Sequence, residues 1–95
     1  KGIGMDPYPV HALKWYLEAA KQGHLRAQNR SGELLRDGST GVPDYTQALY
    51  WFQIASQSGY APAMRNLAEM YEKGLGVPKN LNKASHWLKQ ASRFR

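Results

Sequence analysis

Small and apolar residues return along this chain at the spacing of a single helix face. Ala12, Trp15, Tyr16, Ala19 and Ala20 make the first such face. Ala48, Trp51, Phe52, Ala55 and Ser56 repeat it, and Ala84, Trp87, Leu88, Ala91 and Ser92 repeat it again. Corresponding members stand 36 residues apart, and all three tryptophans occupy one register position. A second pattern lies between these faces, where Ala27, Gly32 and Leu35 align with Ala63, Ala68 and Tyr71 at the same step of 36. No segment alternates with period two for long enough to make a strand. The pattern predicts five helices, over 8–22, 25–37, 44–57, 61–73 and 81–93.

The turns between them are equally regular. Gly23 and Gly59 share one register position, and Gly38 and Gly74 stand where a helix ends in left-handed backbone. Gly41-Val42-Pro43 and Gly76-Val77-Pro78 then lead into the next helix, 35 residues apart rather than 36. The slip is recovered before Ala48, which places the extra residue in a turn outside the packed faces. Asp44 with Gln47 resembles a capping box, Asn80 is the equivalent cap, and Pro62 falls in a first helical turn. A helical hairpin that repeats in this way buries its apolar face only by stacking on its neighbours, so the expected fold is an all-α solenoid. The alanines let helices approach, and the tryptophans are expected to fill the space between units. Loss of a buried tryptophan would cost roughly 3–5 kcal/mol. Solenoids present surfaces, so the pattern argues for binding and against catalysis.

Composition narrows this further. The 95 residues make one modest domain, no run approaches a membrane span, and the absence of cysteine excludes disulfides and thiolate metal sites. Of the net charge of +6, the segment 80–95 carries +4 through Lys83, Lys89, Arg93 and Arg95 without one acid. Such a basic end is either a solvated helix face or an attractor of nucleic acid, anionic lipid or acidic protein. His11, His24 and His86 are spread over different units and predict no metal site. Glu69 and Glu72 read as a solvated face rather than an acid–base pair. There is no Gly-x-Ser-x-Gly, Ser-x-x-Lys or Gly-x-x-x-x-Gly-Lys motif, so neither an enzyme nor a cofactor is expected.

Gly74-Leu75-Gly76-Val77-Pro78, Lys83-Ala84-Ser85-His86-Trp87-Leu88, Leu67-Ala68-Glu69-Met70-Tyr71 and Ala48-Leu49-Tyr50-Trp51-Phe52 resemble the Sel1-like repeat. This family is a relative of the tetratricopeptide repeat. The resemblance covers essentially the whole chain, including Gly2-Ile3-Gly4, and implies a right-handed α-α solenoid. It divides the chain into the second half of a repeat (1–23), a complete repeat (24–59) and a terminal repeat (60–95). Ser31 and Leu35 depart from the pattern of Leu67 and Tyr71, which predicts looser packing there or a Ser31 bond to a backbone carbonyl. Arg95 replaces Gly23 and Gly59, so the chain is expected to open inside an upstream repeat and close near a C-terminus.

The resemblance also implies that the first helix of each unit lines a concave side. Its exposed stripe would then comprise Arg26, Asn29, Arg30, Glu33 and Arg36, followed by Arg65, Asn66, Glu69, Glu72 and Lys73. Side chains of this kind suit an extended peptide, whose amides they hydrogen-bond and whose carboxylates they pair. The leading expectation is therefore a non-catalytic adaptor or scaffold that binds a protein or peptide there. The alternative is nucleic-acid or anionic-surface binding through the basic last helix, which lacks a base-stacking platform or a reading motif. A cell-wall hydrolase, a third class, has no residue in its favour. Exposed solenoid ends would let two copies associate. The resemblance leans toward a bacterial periplasmic or secreted setting.

Overall fold

The computed structural model describes residues 8–94. Expectations that fall on Gly2-Ile3-Gly4 and on Arg95 lie outside the described residues. Five helices follow one another: α1 (Pro9–Lys21), α2 (Leu25–Asp37), α3 (Tyr45–Gln57), α4 (Ala61–Lys73) and α5 (Leu81–Phe94). Each begins and ends within a residue or so of the range predicted from the pattern. The reasons are local. Asp44 accepts from the Gln47 backbone N–H at 3.0 Å to start α3, and Asn80 does the same for Lys83 at 3.0 Å to start α5. At the other ends, Gly38 and Gly74 take φ of 71° and 70°, a conformation that side-chain-bearing residues disfavour. The longer connections, 38–44 and 74–80, are equal in length, so the one-residue glycine slip is absorbed inside the turn. Both are clipped to the preceding helix, by Asp44 N–H to the Leu35 carbonyl and Asn80 N–H to the Tyr71 carbonyl, each 2.9 Å.

Every helix packs on the next in sequence, and α2 also meets α4 directly, whereas α1, α3 and α5 do not meet one another. First helices thus crowd together while second helices splay, which curves the stack with α2 and α4 on its inner side. The core between the layers holds Ala48, Phe52, Ala55, Ala63, Leu67, Ala68 and Met70. Phe52 is fully buried, and its ring lies against the bare Cα of Gly32.

Two expectations about packing need correction. The tryptophans do not share one environment. Trp51 is 8% exposed in the core cluster with Ala20, and Trp87 packs on the cluster of Ala61, Met64 and Ala91, but Trp15 is 56% exposed. No helix precedes α1 among the described residues to cover Trp15. Ser31 and Leu35 are both buried, so the first complete unit is not open at that layer, and the Ser31 hydroxyl reaches no carbonyl.

The Ser56 hydroxyl is likewise buried without a protein partner, and Ala20 fills the equivalent position one repeat earlier, each 2% exposed. A buried hydroxyl without a partner carries its desolvation penalty uncompensated. Ser56→Ala is therefore expected to stabilise the fold by about 1 kcal/mol, read by urea denaturation. A loss of stability would show that the hydroxyl is satisfied.

Candidate functional site

The inner face is built from α2 and α4, and its polar side chains bond chiefly to each other. Asn66 of α4 donates through Nδ2 to Asn29 Oδ1 at 2.9 Å and to Glu33 Oε2 at 3.0 Å, both on α2. Its own Oδ1 accepts from an Arg36 terminal nitrogen at 2.9 Å. The same Arg36 nitrogen reaches Glu69 Oε1 at 3.2 Å, while Arg36 Nε donates to Asp37 Oδ1 at 2.9 Å. Arg30 extends the network at one end to Glu33 Oε1 at 2.9 Å, and Lys73 at the other to Glu69 Oε2 at 2.8 Å. Arg36 is mostly buried, with its guanidinium 5.7 Å from the centre of the Phe52 ring, so the polar stripe rests on the apolar core.

Electrostatics follow from these pairs. The Glu33 carboxylate holds the Arg30 pKa above its ordinary value; partial desolvation opposes this, and the neighbouring Tyr16 hydroxyl adds to it. Glu69 does the same for the exposed Lys73. Both cations keep their charge throughout the physiological range.

Seven of the ten residues expected in the stripe, Asn29, Arg30, Glu33, Arg36, Asn66, Glu69 and Lys73, are thus joined in one network. Arg26, Arg65 and Glu72 are exposed and make no hydrogen bond or ion pair among the described residues. Sequence reasoning missed two residues. Tyr16 of α1 and Tyr60 at the start of α4 join Arg26, Asn29 and Arg30 around a cavity of about 220 Å³. The available signal was register: Tyr16 occupies the position of Phe52 and Leu88, and it alone of the three carries a hydroxyl.

The basic end is arranged differently. Lys83, Lys89 and Arg93 are exposed on α5, and the Lys83 ammonium stands 5.2 Å from the centre of the Tyr71 ring. At about 100° per residue, Lys89 and Arg93 share a face while Lys83 lies roughly 120° around the helix from Lys89. Among the described residues no group of three His, Asp or Glu side chains could hold a metal ion. No helix among them is long and apolar enough to cross a membrane.

Stacked helical hairpins with a polar inner face define an α-α solenoid of the repeat-scaffold class. The chain belongs to the Sel1 repeat family, whose model matches residues 1–24, 25–60 and 61–93. Among solved structures, the chain is similar to a Sel1 repeat protein from Oxalobacter formigenes, at 29% identity and a TM-score of 0.85. That match covers 95% of this chain and 68% of the other. It is also similar to c5321, a protective antigen of uropathogenic Escherichia coli strains with the same repeat fold, at 30% identity and a TM-score of 0.83. There it covers 86% of this chain but only 18% of the antigen. No curated protein matches the chain. Sel1 repeat proteins are generally protein-interaction scaffolds without catalytic function.

Proposed function

We propose that this chain is a non-catalytic adaptor that holds a protein or peptide partner along the inner face of α2 and α4. The observation that carries this reading is the network centred on Asn66. It fixes the polar stripe across two units before any partner arrives, so little side-chain entropy remains to be lost on binding. Beside the ordered residues stand Arg26, Arg65 and Glu72, charged and unengaged, together with an Arg30 side chain that is 48% exposed. Such a surface offers hydrogen bonds to peptide amides and ion pairs to acidic side chains at its margins. Anion binding through α5 is the weaker reading, because Lys83 stands roughly 80° around the helix from Arg93 and roughly 120° from Lys89, so the three cations do not converge on one face.

Reversal of charge at two exposed positions tests the assignment. The full-length protein carrying Arg30→Glu with Arg65→Glu is expected to lose the partners that the unaltered protein captures by affinity purification, while its helical circular dichroism stays unchanged. Undiminished capture of the same partners would move the binding surface elsewhere.

A further inference from the structure

The cavity bounded by Tyr16, Arg26, Asn29, Arg30 and Tyr60 presents donors and no acid. Arg26, Asn29 and Arg30 are spaced i, i+3 and i+4 on α2 and so share one face. The Asn29 amide cannot turn freely. Its Oδ1 is held by Asn66, which fixes the amide plane and leaves Nδ2, the other arm of that plane, without an acceptor among the described residues. Arg26 keeps its whole guanidinium fork. Arg30 spends one terminal nitrogen on Glu33 and shares a further donor with the neighbouring Tyr16 hydroxyl, which leaves it only part of its fork. The Tyr16 and Tyr60 rings form walls, and each hydroxyl is a further donor.

Charge and size decide which anion fits. The Arg30–Glu33 pair at 2.9 Å largely cancels within itself, which leaves about one uncompensated positive charge, that of Arg26. A singly charged ligand matches this, and a dianionic phosphate does not. A planar guanidinium fork suits a carboxylate bonded through both oxygens. A volume of about 220 Å³ admits one side chain or a chain end and little more. The geometry points to a carboxylate-binding subsite at this cavity, which takes an Asp or Glu side chain, or the terminal carboxylate, of a bound peptide. The subsite rests on the reading of the inner face as the partner surface, and it assigns that surface an acidic anchor.

Four short peptides separate the possibilities in a nitrogen-15 NMR titration of the chain. They are acetyl-Ala-Glu-Ala-amide, acetyl-Ala-Ala-Ala with a free C-terminus, acetyl-Ala-Gln-Ala-amide, and acetyl-Ala-phosphoserine-Ala-amide. At least one of the two carboxylate peptides is expected to shift the Asn29 Nδ2 and Arg26 Nε signals saturably, and which one does so identifies the source of the anion. The glutamine peptide should leave these signals in place. Arg26→Gln is expected to weaken carboxylate binding about tenfold, while Arg26→Lys, with the charge but no fork, recovers only part of the loss.

Absence of a saturable shift with both carboxylate peptides would overturn the subsite, as would tighter binding of the phosphoserine peptide. Equal shifts at Lys89 and Arg93 on α5 would overturn it too, as charge attraction without a site. Failure of the subsite and failure of the groove remain distinct. Partner capture lost on Arg65→Glu alone, with no carboxylate response at Asn29, keeps the groove and removes the subsite. A carboxylate response at Asn29, with capture indifferent to Arg65→Glu, keeps the subsite and removes the groove.

Discussion

Replacement of Phe52 by alanine is expected to cost about 3–5 kcal/mol, the range for loss of a fully buried aromatic ring. Phe52 is 0% exposed, it fills the space above Gly32, and it underlies the Arg36 guanidinium. Its loss therefore reaches two layers, since Arg36 is the side chain that ties the stripe on α2 to Asn66 and Glu69. Against a typical total stability of 5–15 kcal/mol, the variant would be marginal, with Tm lowered on the order of 15–30 °C. Leu88 occupies the same register position one repeat later but is half exposed, so Leu88→Ala should cost no more than about 1–2 kcal/mol. Thermal and urea denaturation of the two variants side by side checks the ranking. Equal losses would mean that register, rather than burial, sets the energy.

That contrast marks how far the sequence could be read. Helix ends were legible because each depends on a few neighbouring residues: Asp44 and Asn80 cap starts, and Gly38 and Gly74 permit left-handed stops. The stacking was legible because Ala12, Ala48 and Ala84 keep a constant period. Trp15 was not, since its burial depends on a neighbouring helix and not on its own position along the chain. The network was missed for a related reason. Periodicity gives the angle of a side chain about its helix but says nothing of what the next helix brings opposite. A trace of it was nonetheless present. Glu33 with Asn66, and Arg36 with Glu69, are each 33 residues apart, one repeat less one turn, as expected for neighbours on adjacent stacked helices. The other two bonds across units, Arg36 with Asn66 and Asn29 with Asn66, fall at 30 and 37, so the offset narrows the search for partners without fixing them. The cavity was harder still, because Tyr16 and Tyr60 come from helices on either side of α2.

One further pairing recurs after a full period with its residue sizes changed, and it carries the second large effect. Gly32 faces Phe52, and by register Ala68 stands opposite Leu88, so the unit with the larger apolar side chain has the smaller partner. A methyl group on Gly32 would come within 2.5 Å of the Phe52 ring, and the fully buried ring has nowhere to move. Overpacking of this kind costs about 1–3 kcal/mol or somewhat more, against about 1 kcal/mol gained from the helix preference of alanine over glycine. Gly32→Ala is thus expected to destabilise by about 1–2 kcal/mol net, contrary to what helix propensity alone predicts. Phe52→Leu alone should also destabilise, by leaving a void. Together the two changes reproduce the Ala–Leu pair of the next unit, with the methyl occupying part of the space the ring vacates. The double variant is expected to be at least as stable as Gly32→Ala and closer to the unaltered chain than the sum of single losses allows. A coupling energy of about 1–2 kcal/mol from the double-mutant cycle would confirm that the repeats trade volume across this contact. Strict additivity would show that Gly32 is small for a reason other than the Phe52 ring.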